Sequence, residues 1–182
     1  IRKILRPVKS GFFALENEKK ESTMLYRLRL FLAFFIVAIW SGCDDNYVSS
    51  IPSYPVGLQL NLTSTYSTFK NSTNQFLLFE KRINETDRIG FGGILVYSDV
   101  DLDDSGNTIY HAFDMACPYE AKGDVRVFPV KDRLGEVKCE KCGSVYNLLF
   151  GAGAPDLKSG PATEVLKRYK TSLSNDVLFI YR

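Results

Sequence analysis

From about Val56 onward the sequence predicts an all-β domain, a small antiparallel sandwich or barrel. Three observations carry that expectation. Apolar residues either alternate with polar ones or gather in short β-branched and aromatic runs. Gly, Asn, Asp and Ser punctuate those runs at short intervals, as turns require. No long segment after residue 43 repeats with a helical period.

The first strand is expected over 56–62, where Val56-Gly57-Leu58-Gln59-Leu60-Asn61-Leu62 alternates with period two. A Ser/Thr/Asn-rich loop over 63–74 follows, then a strand over 75–80 around Phe76-Leu77-Leu78-Phe79. Residues 83–88 read as a charged connection and 89–97 as a strongly β-prone strand. Asp101, Asp103 and Asp104 ahead of Ser105-Gly106-Asn107 mark an acidic turn over 99–107. The carboxylates faintly suggest calcium, but the stretch reads as an ordinary acidic hairpin turn, since no glutamate arrives where an EF-type loop needs its bidentate ligand. Strands follow over 108–113, 124–130, 134–138 and 145–148, with a turn over 151–155. Residues 162–168 suggest one helical turn, and 170–173 with 177–181 close the sheet around Ser174-Asn175-Asp176.

Ahead of this domain, residues 1–23 are polar and aperiodic and read as upstream read-through, with Met24 as initiator. Residues 24–42 have the form of a secretory signal: basic Arg27 and Arg29, an apolar run from Leu30 to Trp40, then Ser41-Gly42. The run is short for spanning a bilayer. Ser41-Gly42-Cys43 resembles the bacterial lipobox, which implies a lipidated Cys43 as mature N-terminus. It also implies a cell-envelope location, anchored to the inner or outer membrane on a periplasmic or surface face. Residues 43–55 then serve as a polar linker, and 56–182 as the domain. Three Asn-x-Thr sequons (Asn61, Asn71, Asn84) are chance matches in such a protein.

The charge balance follows the same division. The chain carries a formal +2, but residues 1–42 hold eight Lys/Arg and three Asp/Glu, which leaves 15 and 18, a formal −3, for the rest. No basic patch remains, so nucleic acid is excluded as a partner. No Ser-His-Asp set, phosphate-cradling glycine loop or acid/base carboxylate pair is present either, so no independent catalytic constellation is expected.

The chemistry concentrates between Cys117 and Ala162. Cys117-Pro118-Tyr119 forms one short cysteine loop and Cys139-Glu140-Lys141-Cys142-Gly143-Ser144 a second, each after a strand-like run. Cys-x-x-Cys by itself reads as zinc, iron–sulfur, redox dithiol or disulfide. With Gly160-Pro161-Ala162, followed by Leu166 and Tyr169, the set resembles the Rieske iron–sulfur domain. That family has Cys-x-His, Cys-x-x-His-Gly-Ser and a covering Gly-Pro-Ala loop. The runs Gly93 to Tyr97 and Tyr110 to Phe113 are similar to the strands leading into its first loop.

The resemblance implies a Rieske-like fold over roughly 88–182, with Pro118, Gly143, Ser144, Gly160 and Pro161 in the loops that enclose the site. It also implies an electron-transfer role with a redox partner protein, at most as an oxidoreductase component. The departure lies in the ligands. Tyr119 and Cys142 stand at the two histidine positions, and His111 is the only histidine in the chain. A two-histidine centre is therefore impossible.

Three sites remain open. One is a [2Fe-2S] cluster on Cys117, Cys139 and Cys142, completed by Tyr119, water or His111. Another is zinc on the three thiols plus one further ligand. The third has no metal: a disulfide, Cys117–Cys139 or Cys139–Cys142, formed in an oxidising compartment, which makes the domain a structural or binding module. His111, six residues before Cys117 in a strand, reads as a strand residue rather than a ligand, and Tyr119 as packing or capping its loop.

Overall fold

The computed structural model describes residues 49–182; the expected leader, Cys43 and the start of the linker lie outside the described residues. The strands are β1 (Val56–Asn61), β2 (Gln75–Phe79), β3 (Arg88–Ile89), β4 (Ile94–Leu102), β5 (Thr108–Asp114), β6 (Val127–Pro129), β7 (Glu136–Cys139), β8 (Val145–Asn147), β9 (Ala154–Pro155), β10 (Arg168–Ser174) and β11 (Val177–Tyr181). They form a seven-stranded, barrel-like sheet of order β2-β4-β5-β10-β11-β1-β3 and a four-stranded sheet of order β6-β7-β8-β9. Every ladder is antiparallel. The all-β expectation therefore holds, and the only described α-helix is the single turn α1 (Ser67–Lys70) within the 63–74 loop.

β4 is the wall between two cores. Successive side chains of a strand point to opposite faces. Ile94 and Val96 join Leu58, Leu60, Leu62, Tyr110, Ala112, Leu178 and Ile180 inside the large sheet. Leu95 and Tyr97 face the other way, onto Phe113, Met115, Val127, Val137, Tyr146 and Leu148 beneath the small sheet. A strand covered on both faces has no reason to alternate, which is why Gly93 to Tyr97 reads as a continuous apolar run. The second core includes Cys117 and Cys139, so the cysteine loops grow directly out of packed strands.

Several expected boundaries move. β4 continues to Leu102, through part of the predicted acidic turn, because pairing with β5 resumes at Leu102↔Thr108 after an irregularity beyond Ser98. The remaining turn is organised by Asp103, whose carboxylate accepts the Ser105 and Asn107 amides at 2.9 and 2.8 Å. The predicted 124–130 strand shortens to β6, preceded by an isolated Ala116↔Arg126 bridge. No helical turn forms over 162–168. There the backbone bonds outward instead: Ala162 donates to Ser144 Oγ, Leu166 to the Gly153 carbonyl, and the Lys167 carbonyl accepts from Asp114.

The predicted linker is docked from residue 49. Ile51 is 1% exposed, a burial worth about 1.5–3 kcal/mol. Lys167 Nζ donates to the carbonyls of Ile51 and Pro52 at 2.9 and 3.0 Å, and Ser50 Oγ donates to the Pro118 carbonyl at 2.8 Å. The segment thereby reaches the first cysteine loop.

Asp114, the last residue of β5, anchors that loop from the other side. It is fully buried, and its carboxylate accepts the amides of Phe91, Gly92 and Ala116 at 2.8–2.9 Å and the Tyr169 hydroxyl at 2.5 Å. Four donors on one carboxylate match its acceptor capacity. They tie the 90–93 turn, β10 and the entry to Cys117 to a single point.

Candidate metal centre

The first loop leaves the core at Cys117, whose amide donates to the Val125 carbonyl and whose carbonyl accepts from Ala121. The second is the tip of the β7–β8 hairpin. It closes through Gly143 N–H to the Cys139 carbonyl and Cys139 N–H to the Ser144 carbonyl, both 2.9 Å. Gly143 has φ +77, a left-handed conformation natural to glycine. Val127, just after the first loop, pairs with Cys139, so the β6–β7 ladder sets one loop against the other. Lys141 Nζ and a Glu120 carboxylate oxygen, 2.6 Å apart, join the two loop tips.

This arrangement brings the Sγ atoms of Cys117, Cys139 and Cys142 within 4.8 Å of one another. Cys117 and Cys142 are closest, at 3.6 Å. All three are free thiols, and they can hold a metal ion. Cys117 and Cys139 are fully buried whereas Cys142 is part-exposed.

Two hydroxyls complete the surroundings. Tyr146, fully buried, places its hydroxyl 3.4 Å from Cys117 Sγ, and Ser144 Oγ lies 3.2 Å from Cys142 Sγ. Ser144 Oγ also accepts the Ala162 amide at 3.1 Å, which locks the Gly160-Pro161-Ala162 segment over the second loop. At Gly160 a Cβ would stand 2.6 Å from Ser144 backbone, so only glycine permits this approach.

Tyr146 was not singled out from the sequence. The available signal is its spacing from Ser144: Tyr146 follows two residues later in β8, and residues two apart along extended backbone share a face. Tyr119, at the other histidine position, does not cap its loop through its hydroxyl. It is 57% exposed, and its hydroxyl has no hydrogen bond among the described residues.

The thiols differ in acidity. Burial pushes Cys139 up to about 12. Burial acts in the same direction on Cys142, but hydrogen bonds from the Ser144 side chain and backbone and from the neighbouring thiols outweigh it and hold that thiol below its ordinary value. Cys142 therefore ionises ahead of Cys139. Tyr146 is kept neutral, chiefly by burial and then by Cys117, and remains a hydroxyl donor toward sulfur.

No protein-family model matches the chain, and no curated protein matches it. Among solved structures, one chain of a complex of reduced oxygenase and oxidized ferredoxin in carbazole 1,9a-dioxygenase is similar, with a TM-score of 0.39 and 12% identity over 68% of this chain and 99% of that one.

The residues of the site do not fit a two-histidine iron–sulfur centre. His111 is engaged elsewhere: its Nε2 lies 2.9 Å from Asp99 Oδ2, and Arg168 Nη2 lies 3.3 Å from its Nδ1. Asp99 Oδ2 also accepts the Phe150 amide at 2.7 Å. Arg168 can only donate, so the network assigns the imidazole as neutral, with its proton on Nε2 toward Asp99.

Burial, opposed by the Asp99 hydrogen bond and assisted by the Arg168 charge, lowers the His111 pKa from 6.5. The unfolded chain then binds the extra proton more readily than the folded one. Stability is complete above about pH 6.5 and declines as pH falls below that value. Denaturant titrations of the native chain and of His111→Gln between pH 5 and 8, a window that brackets the ordinary histidine value of about 6.5, test this. The native-minus-variant difference should shrink toward acid, and a difference independent of pH would rule the linkage out.

Proposed function

We propose that this chain is a membrane-anchored envelope lipoprotein whose Rieske-type domain has exchanged the two-histidine cluster for a thiolate metal centre. The observation that carries the reading is the convergence of Cys117, Cys139 and Cys142 within 4.8 Å, from two loops held by separate strands. The loop sequences support the Rieske assignment, as does the Ser144–Ala162 contact that seats the Gly-Pro-Ala segment over the site. The anchor rests on Arg27 and Arg29, the apolar run and Ser41-Gly42-Cys43. With iron bound, the centre would carry electrons to a partner protein; with a redox-inert ion it would serve as a structural or binding module.

One observation favours a metal-free alternative. Cys117 and Cys142 approach to 3.6 Å, a modest movement from the disulfide length of about 2.05 Å. An exported protein meets an oxidising compartment. The pair differs from both pairings suggested by the sequence.

Cell fractionation and metal analysis test the proposal together. The native chain should sediment with membranes and carry bound metal after anaerobic purification. Cys43→Ser should be released or remain unprocessed. A chain that is soluble in the native form, or that carries a Cys117–Cys142 disulfide and no metal, would remove the anchor or the metal centre respectively.

A further inference from the structure

Building on the thiolate-centre reading, we infer that the site takes one tetrahedral ion of the zinc class, bound by Cys117, Cys139 and Cys142 with an exchangeable fourth position. The separations decide the nuclearity. A Zn–S bond of about 2.3 Å at tetrahedral angles puts neighbouring sulfurs about 3.8 Å apart. Here the closest pair stands at 3.6 Å and no pair exceeds 4.8 Å. A two-iron cluster spreads its terminal ligands over two metals, so thiolates on different irons stand farther apart than thiolates on one ion. Three mutually close sulfurs describe a ligand set around one centre.

The fourth position follows from composition and burial. No further His, Cys, Asp or Glu among the described residues joins the group. Cys117 and Cys139 are fully buried and Cys142 is part-exposed, so solvent reaches the site past Cys142 and can supply the fourth ligand. Three thiolates on a divalent ion leave one net negative charge. The Tyr146 hydroxyl beside Cys117 and the Ser144 hydroxyl beside Cys142 are placed to donate to sulfur and moderate it. The chemistry admitted at the open position is that of water or a small soft donor such as a thiolate, an imidazole or cyanide.

The test uses the full-length chain, solubilised in detergent and purified anaerobically. Zinc, iron and acid-labile sulfide are counted, and the apo chain is titrated with Co(II), whose ligand-field spectrum reports tetrahedral thiolate coordination. The expected result is one zinc per chain without sulfide, and a tetrahedral Co(II) spectrum that shifts when imidazole or cyanide is added. Tyr146→Phe, which keeps the ring in place, should weaken zinc binding by about 10–100-fold. Cys142→Ala should abolish the three-thiolate spectrum. Two irons and two sulfides per chain would overturn the single-ion inference while leaving the thiolate centre standing. Failure to bind zinc, cobalt or iron would overturn both. A Co(II) spectrum indifferent to added ligands would overturn the open position.

Discussion

Replacing Asp114 by alanine is expected to destabilise the domain by about 4 kcal/mol, at the upper end for a single substitution. The carboxylate accepts three backbone amides and the Tyr169 hydroxyl in a fully buried position. Alanine leaves all four donors without a partner, and each buried orphan costs about 1–3 kcal/mol. For a domain of this size that corresponds to a melting temperature lower by roughly 15 °C. Tyr169→Phe removes only one of the four contacts and should cost about 1–2 kcal/mol. The damage also reaches the candidate metal site, because Ala116, held by Asp114 Oδ1, immediately precedes Cys117. Thermal melts followed by circular dichroism check the pair. An Asp114→Ala loss no larger than that of Tyr169→Phe would show that this carboxylate does not organise the loop.

With an ion bound at the proposed three-thiolate centre, stripping it should produce the second large effect. An ion present at about a thousand times its dissociation constant stabilises the folded state by about 4 kcal/mol, provided the unfolded chain does not bind it. Chelation should therefore lower the melting temperature by roughly 10–15 °C. The informative quantity is the holo-minus-apo difference, which Cys117→Ala should reduce to near zero whatever its own cost. Cys117 is suited to this test because its sulfur contacts both Cys142 Sγ and the Tyr146 hydroxyl. A metal-dependent increment that survives in Cys117→Ala would place the ion elsewhere.

How far sequence alone reaches depends on the distance over which a property is set. The two cysteine loops, their glycines and the impossibility of a two-histidine centre were legible, because each depends on residue identity at short spacing: Cys139 and Cys142 within one hairpin tip, Gly143 at a left-handed position, Tyr119 two residues after Cys117. The all-β class was legible for the same reason, since period-two patterns such as Val56 to Leu62 are local. What the tertiary structure alone decided comes from strand register and from segments that meet far apart in sequence. Register makes β4 a wall between two cores, and so lets Asp99 be a buried partner of His111 rather than part of an exposed turn. Outward backbone bonds turn 162–168 from a helical turn into an irregular cover, and Lys167 and Ser50 fasten residues 49–53 to the domain instead of leaving them as linker. Pairing between β6 and β7 draws Cys117 and Cys142 to 3.6 Å, a pair no local spacing proposes. Local patterns determine which elements form, whereas buried polar groups take their partners from whichever strand the packing brings within hydrogen-bond reach.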